Sequence, residues 1–299
     1  MPKVTFLTGE YPPMQGGIAD YLAHLTEYIT PLGTDSSILI TRRWQETLPP
    51  NHQLPIYPTI PNWGWRCWPA ITKFLNTHQP DVIHIQYQAA AFDLGGWINW
   101  LPWYLKKRHT TTKVVITFHD LRMPYIFPKA GPFRWKSILA LARYSDAVIC
   151  TDRENTYTLQ LAIPALNNIE ETNNQLPITN YRPEPSRRDQ SPNLPISQSP
   201  LLTHIPLGNN AEPQPPPNFN RITWRAKYNV QDNTLLLAYF GFLNESKGGE
   251  ELIEALALLR QQGIDAHLLF IGGEVGDADP TNITYAQRVQ ALIDRHRLA

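Results

Sequence analysis

At 299 residues, 42% of them apolar, the chain is long for one domain, suits two, and carries enough apolar material for real cores. Its 26 basic and 26 acidic residues cancel, which removes any global electrostatic case for a nucleic-acid partner. The two cysteines, Cys67 and Cys150, lie far apart without metal-ligand spacing, so a reducing compartment and two ordinary thiols are expected. The first residues lack the pattern of a signal peptide, and no stretch approaches the roughly twenty apolar residues of a membrane span. A cytoplasmic protein is expected.

The chain opens on a short apolar run, Val4 to Leu7, of the kind that makes a buried strand. "TGEYPPMQGG" follows, and then Ile18, Leu22, Leu25 and Ile29 recur at helical spacing until Pro31 and Gly33 stop the helix. A glycine loop between strand and helix sets free backbone N–H groups and the positive end of a helix dipole at one point, a ready site for an anion. Gly16 and Gly17 would let a ligand approach their backbone, or they serve only as a tight turn packing helix on strand. The loop matches neither G-x-G-x-x-G nor G-K-[ST].

Further strands are read at Ser37–Thr41, Val82–Gln86, Lys113–Phe118 and Ala147–Thr151, with helical stretches between several of them. This alternation predicts an α/β fold with a parallel sheet covered on both faces. Val114 to Phe118 is apolar without alternation, as a central strand is, and it runs into His119 and Asp120, where ligands of open α/β sheets gather. Arg42 and Arg43 follow the second strand, a position that can hold the 2′-phosphate of NADP. An NADP-dependent reductase is therefore the alternative enzyme, and the absent G-x-G-x-x-G counts against it. "WINWLPWYLKKRH" admits two readings. Leu94, Trp97, Ile98, Leu101 and Leu105 would form the buried stripe of a packing helix. Trp97, Trp100, Trp103 and Tyr104, beside Lys106, Lys107 and Arg108 and with Trp63, Trp65 and Trp68 nearby, would suit a membrane interface, on an enzyme or on a non-catalytic scaffold.

From residue 166 to 203 the composition shifts to asparagine, proline, glutamine and serine, with "QLPITN" echoed as "NLPISQ". That stretch is read as a disordered insertion. The predicted organisation is a first Rossmann-like domain over 1–165, the insertion over 166–203, the end of that domain with a proline-rich linker over 204–220, and a second α/β domain over 221–299. The second holds a strand at Thr234–Phe240, a turn containing Lys247, a helix at Glu250–Arg260, a strand at Ala266–Ile271 and a helix at Tyr285–Arg297. Two strands and two helices leave an open sheet edge. Asp277 and Asp279 imitate a metal-binding D-x-D, but stand in a loop ended by a proline.

Taken in series, "EYPPMQGGIADYLAHL", "PDVIHIQY", "VVITFHD", "ARYSDAVICTDRE", "HIPLGNN" and "YFGFLNESKGGEELIEALALL" resemble the family 4 glycosyltransferases. The resemblance implies a GT-B fold of two Rossmann-like domains facing across a cleft, an acceptor-side first domain and a nucleotide-sugar-binding second. It implies retaining hexosyl transfer from a nucleotide-diphosphate sugar to a hydroxyl, the sugar nucleotide being a substrate and no metal or cofactor being needed. By this resemblance Gly16 and Gly17 face the donor diphosphate, with Gly241 and Asn209 also on the donor. His119 hydrogen-bonds the transferred sugar or steadies its oxocarbenium-like transition state, and Lys247 neutralises charge growing on the departing diphosphate. The acceptor is a saccharide or a lipid-linked saccharide, which peripheral membrane contact at an inner face would suit. Two departures stand out. Phe242 replaces the arginine of the family's Gly-Arg-Leu pattern, and the sequence ends before the family's pair of glutamates. Weak donor binding and little turnover are therefore expected of this chain alone.

Overall fold

The computed structural model describes residues 1–14, 16–44, 54–121, 132–163, 166–168, 200–208, 215–241, 243, 247–272 and 281–298. Apart from the loop tip Met14–Gly16, they divide into two compact units, Met1–Gly208 and Asn209–Ala299.

In the first unit, strands β1 (Lys3–Leu7), β2 (Asp35–Thr41), β3 (Ile56–Ile60), β4 (Val82–Tyr87), β5 (Lys113–Phe118), β6 (Ala147–Cys150), β7 (Asn167–Asn168) and β8 (Leu201–His204) make one sheet. Its order is β3-β2-β1-β4-β5-β6-β8-β7, and each pairing is parallel. Helices α1 (Gly17–Ile29), α2 (Cys67–His78), α3 (Leu101–Lys107), α4 (Pro132–Arg143) and α5 (Arg153–Ala162) alternate with the strands, as parallel neighbours require of their crossovers. Phe6, Leu7, Ile38, Leu39, Ile83, Ile85, Ile116, Phe118 and Val148 are all buried. Consecutive buried residues such as Ile38 to Ile40 mean that both faces of the sheet are covered.

The winding matters for function. The chain starts in mid-sheet at β1, travels outward to β3, then returns to lay β4 on the other side of β1. Loops leaving β1 and β4 therefore diverge, which opens a crevice at the carboxyl ends of these strands. Two contacts shape the floor of the loop after β1. The Trp44 indole donates to the Pro12 carbonyl at 2.9 Å, and Gly9 lies so close to the Ala91 carbonyl that a β-carbon there would overlap it.

Two sequence expectations need correction. Residues 166–168 and 200–203 are not part of a structureless insertion: Asn167–Asn168 is β7, and Leu201–His204 is β8 paired with Ala147–Cys150. Leu202 is fully buried beside Val148, its register partner. This completes the core where composition alone reads as low complexity. Residues 169–199, the bulk of the expected insertion, lie outside the described residues. The tryptophan-rich segment is not one helix from Leu94 either. Ile98–Trp100 is a 3₁₀ turn, and α3 starts with Pro102 in its first turn, where a missing N–H costs nothing. Ile98, Leu101 and Leu105 are buried, while Leu94 and Trp97 are exposed. Cys67 and Cys150 are free and buried. Burial pushes both thiols up to about 12, so they stay protonated and inert.

The second unit contains α6 (Arg221–Ala226), β9 (Leu235–Phe240), α7 (Gly249–Gln261), β10 (Ala266–Ile271) and α8 (Thr281–His296). β9 and β10 pair in parallel. Ile253 of α7 meets Tyr285 and Val289 of α8 in the core, with Leu268 and Phe270 of β10 packed against them. Among the described residues no helix is long and apolar enough to cross a membrane.

The glycines near the β1 loop separate packing from ligand access. Gly9→Ala should lower stability by about 1–3 kcal/mol, the scale of overpacking a fitted site. Gly17→Ala, with open space around the added carbon, should leave stability unchanged or slightly raised. Urea unfolding of both variants checks this; equal losses would contradict it.

Candidate active site

At the carboxyl ends of β4 and β5, polar side chains meet along one sheet face. Thr117 lies opposite Gln86 in the register, and His119 continues the ladder one step beyond β5 by donating its N–H to the Tyr87 carbonyl at 3.0 Å. Side chains two apart share a face of a strand, and the same diagonal relation occurs twice. His84 Nε2 lies 2.8 Å from Thr117 Oγ1, and His119 Nε2 lies 2.9 Å from Gln86 Oε1. A third pair follows in the loops, where the Gln88 amide donates to the Asp120 carboxylate at 3.2 Å. Tyr21 of α1 sets its ring edge-on to His119, centroids 4.9 Å apart.

Burial controls the charge here. Desolvation lowers His119 to about 4, and desolvation together with the neighbouring His119 lowers His84 to about 3. Both rings are therefore neutral at neutral pH. A neutral imidazole with so low a pKa is a poor proton acceptor but a competent hydrogen-bonding group. Glu10, buried in the loop after β1, is raised above the usual carboxyl range by burial and then by Asp20. Its backbone N–H bonds to Thr8 Oγ1, which in turn donates to the Glu10 carbonyl at 2.7 Å. Gly17 is the first residue of α1, with open space where its side chain would be; Gly16 directly precedes it. Those two glycines and His119 belong to crevice-side segments of one sheet end.

In the second unit, β9 is followed directly by Gly241 with φ +119°, and β10 by Gly272 with φ +145°. Both conformations favour glycine, and a β-carbon on Gly272 would strike the Gly241 carbonyl. Lys247 folds back so that its ammonium sits 2.5 Å from where a Gly241 β-carbon would be. The ammonium thus lies against a backbone with no side chain to screen it. Gly248, left-handed at φ 71°, caps α7. The Glu250 N–H in the first turn donates to the Tyr285 hydroxyl at 3.0 Å, and Glu250 pairs with Arg288 at 3.2 Å.

Of the residues singled out in the sequence, Gly17 and His119 fall in the first unit, Gly241 and Lys247 in the second, and Gly16 in the loop tip Met14–Gly16 that is set apart from the first unit. Asn209, Phe242, Asp277 and Asp279 lie outside the described residues. Among those described, no group of three His, Cys, Asp or Glu could hold a metal ion. Arg43, expected to be available to a phosphate, pairs with Asp93 at 2.8 Å. Sequence reasoning missed Gln86, Tyr21, Glu10 and Tyr285. Gln86 carried a visible signal, an amide inside the otherwise apolar end of a central strand and two residues from His84.

The depressed histidines tie stability to pH. Unfolded, each ring titrates near 6.5; folded, near 4 and 3. Between those values the unfolded chain binds more protons, so their contribution is fully present above about pH 6.5 and declines as pH falls through that window. His119→Asn should flatten the decline between pH 6.5 and 4 in urea unfolding; an unchanged slope would contradict the neutral, buried ring.

Comparison with known proteins adds identity to this geometry. Residues 15–160 match the model of Glycosyltransferase Family 4. Among solved structures, WaaG, a glycosyltransferase involved in lipopolysaccharide biosynthesis, aligns over 97% of this chain and 68% of its own, with TM-score 0.52 and 15% identity. The catalytic domain of starch synthase IV from Arabidopsis thaliana, bound to ADP and acarbose, aligns over 99% and 72%, with TM-score 0.56 and 12% identity. α,α-Trehalose 6-phosphate synthase from Burkholderia multivorans aligns over 99% and 67%, with TM-score 0.53 and 10% identity. No curated protein matches. At these identities the likeness to solved structures is one of fold, the GT-B type. Residues 15–160, which run from the glycine loop past His119, are thus similar to Glycosyltransferase Family 4.

Proposed function

We propose that the protein moves a hexosyl group from a nucleotide-diphosphate sugar to an acceptor hydroxyl, with retention at the anomeric carbon. The observation that carries this reading is the family match over 15–160, a span that contains the loop amides, α1 and His119. Loop N–H groups and the positive end of α1 suit a diphosphate. The neutral His119 ring suits a sugar hydroxyl. Lys247, an exposed ammonium beside the bare Gly241 backbone, is the cation for the departing diphosphate. Charge there grows towards the transition state, so a fixed cation stabilises the transition state more than the ground state and raises kcat. Gly241 and Asn209 are assigned to the donor as well. The nucleotide sugar brings its own leaving group, so the chemistry calls for no cofactor, and we assign it no metal. In an active preparation, Lys247→Ala should lower kcat by about 10²–10³-fold, the cost of deleting one group that meets developing charge. His119→Ala should also lose turnover. Rates equal to wild type in either variant would refute that residue's role.

A second, compatible reading concerns where the acceptor is met. Trp68 stacks on Tyr104 at 4.8 Å, meets Trp97 edge-on at 5.6 Å, and donates its indole N–H to the Trp97 carbonyl. Arg108 lies over Tyr104, and Arg66 over the exposed Trp65. Half-exposed aromatics with cations over their faces, next to Lys106 and Lys107, suit the headgroup layer of an anionic membrane and hence a lipid-linked saccharide acceptor at an inner leaflet. At about 1 kcal/mol per basic residue, replacing Lys106, Lys107 and Arg108 by alanine should release the protein from sedimenting phosphatidylglycerol vesicles at low salt. Equal pelleting of variant and wild type, or no pelleting of either, would overturn the membrane reading.

A further inference from the structure

The hydrogen bond between Gln86 and His119 decides more than the ring's position. A carboxamide oxygen can only accept. With Gln86 Oε1 2.9 Å from His119 Nε2, the ring nitrogen in that contact must carry the hydrogen. The other nitrogen, Nδ1, then keeps its lone pair, because a neutral imidazole holds one hydrogen.

We propose that Gln86 is a positioning residue that locks His119 in the Nε2–H tautomer, leaving Nδ1 as the acceptor for a hydroxyl of the transferred sugar. This rests on the glycosyltransferase reading and gives it a direction: the sugar hydroxyl donates and the protein accepts. His119 therefore favours a ligand with a hydroxyl over one presenting only an acceptor at that point.

Two observations support the lock. Gln86 is fully buried in β4, and its strand fixes the amide beside His119 as it fixes His84 beside Thr117. Holding the oxygen toward the ring leaves Gln86 Nε2 buried without a hydrogen-bond partner, a cost of about 1–3 kcal/mol that the opposite amide orientation, with Nε2 donating to the ring, would remove; the tautomer therefore reports which orientation holds. The ring is also kept neutral by burial, which a tautomer lock needs, since a doubly protonated ring has no lone pair. The titratable groups around it are His84 on β4, Tyr21 on α1 and Asp120, next in the chain. None of the three occupies the Nε2 contact.

Nitrogen-15 NMR of the imidazole rings, on the full chain without ligand, reads the tautomer directly. Wild type should show His119 protonated at Nε2 alone. Gln86→Leu should give a mixture of the two tautomers. Gln86→Glu keeps an acceptor at the same place and should restore the Nε2–H form, while moving the His119 titration upward by about one pH unit or more, because a carboxylate favours the charged ring. Hydrogen on Nδ1 in wild type would mean that the amide is turned the other way and would overturn the proposal, with no variant needed. An unchanged tautomer population in a folded Gln86→Leu would overturn it too. Because the measurement uses protein without donor, its failure leaves the transferase reading intact, and a lack of sugar transfer leaves the tautomer result intact.

Discussion

The parallel pairing of β4 with β5 is the constraint on which the site depends. Register sets Val82 opposite Lys113 and Tyr87 opposite Phe118, and the pleat then leaves no choice about which side chains meet. His84 reaches Thr117, and Gln86 reaches His119. A slip of one residue would turn each of these to the other face, and the apolar residues Ile83, Ile85 and Ile116, all fully buried, would lose the neighbours they are packed against. The hydrophobic pattern that holds the sheet together is thus also what aligns the polar pairs at its end. Burial then acts on charge, keeping both rings neutral.

Negative charge is handled by position in each unit separately. In the first, the loop after β1 combines backbone donors with a buried Glu10 whose pKa is raised by desolvation and by Asp20. In the second, two glycines with positive φ directly follow the paired strands, and Lys247 fills the space a side chain on Gly241 would take. Either arrangement alone is a common turn. The donor roles proposed for them draw on the family match over residues 15–160 for the loop and, for Lys247, on its resemblance to the family's lysine.

Much of the fold was legible because parallel strands and amphipathic helices leave strong patterns. The apolar run Val114 to Phe118 announced a central strand, and Pro31 and Gly33 marked the end of α1 within a few residues. Shorter or atypical pieces were hidden. β3 contains Pro58, which removes a backbone donor and is tolerated because β3 is an edge strand. β8 is four residues long and emerges from a stretch whose composition reads as low complexity, so only its pairing with β6 reveals it. For the site, His119 could be placed at a strand end from sequence, but its state could not. The low pKa and the Gln86 contact depend on neighbours 33 residues away, which no local pattern reports.

The central claim is that donor diphosphate rests on the backbone amides of the loop after β1 while the transferred sugar meets His119. A crystal structure with an intact nucleotide sugar bound tests it most directly. The account predicts phosphate oxygens within about 3.2 Å of the Gly16 or Gly17 nitrogen, a normal hydrogen-bond reach, and a sugar hydroxyl against His119 Nδ1. A donor bound with its phosphates away from that loop, or with its sugar out of reach of His119, would contradict it.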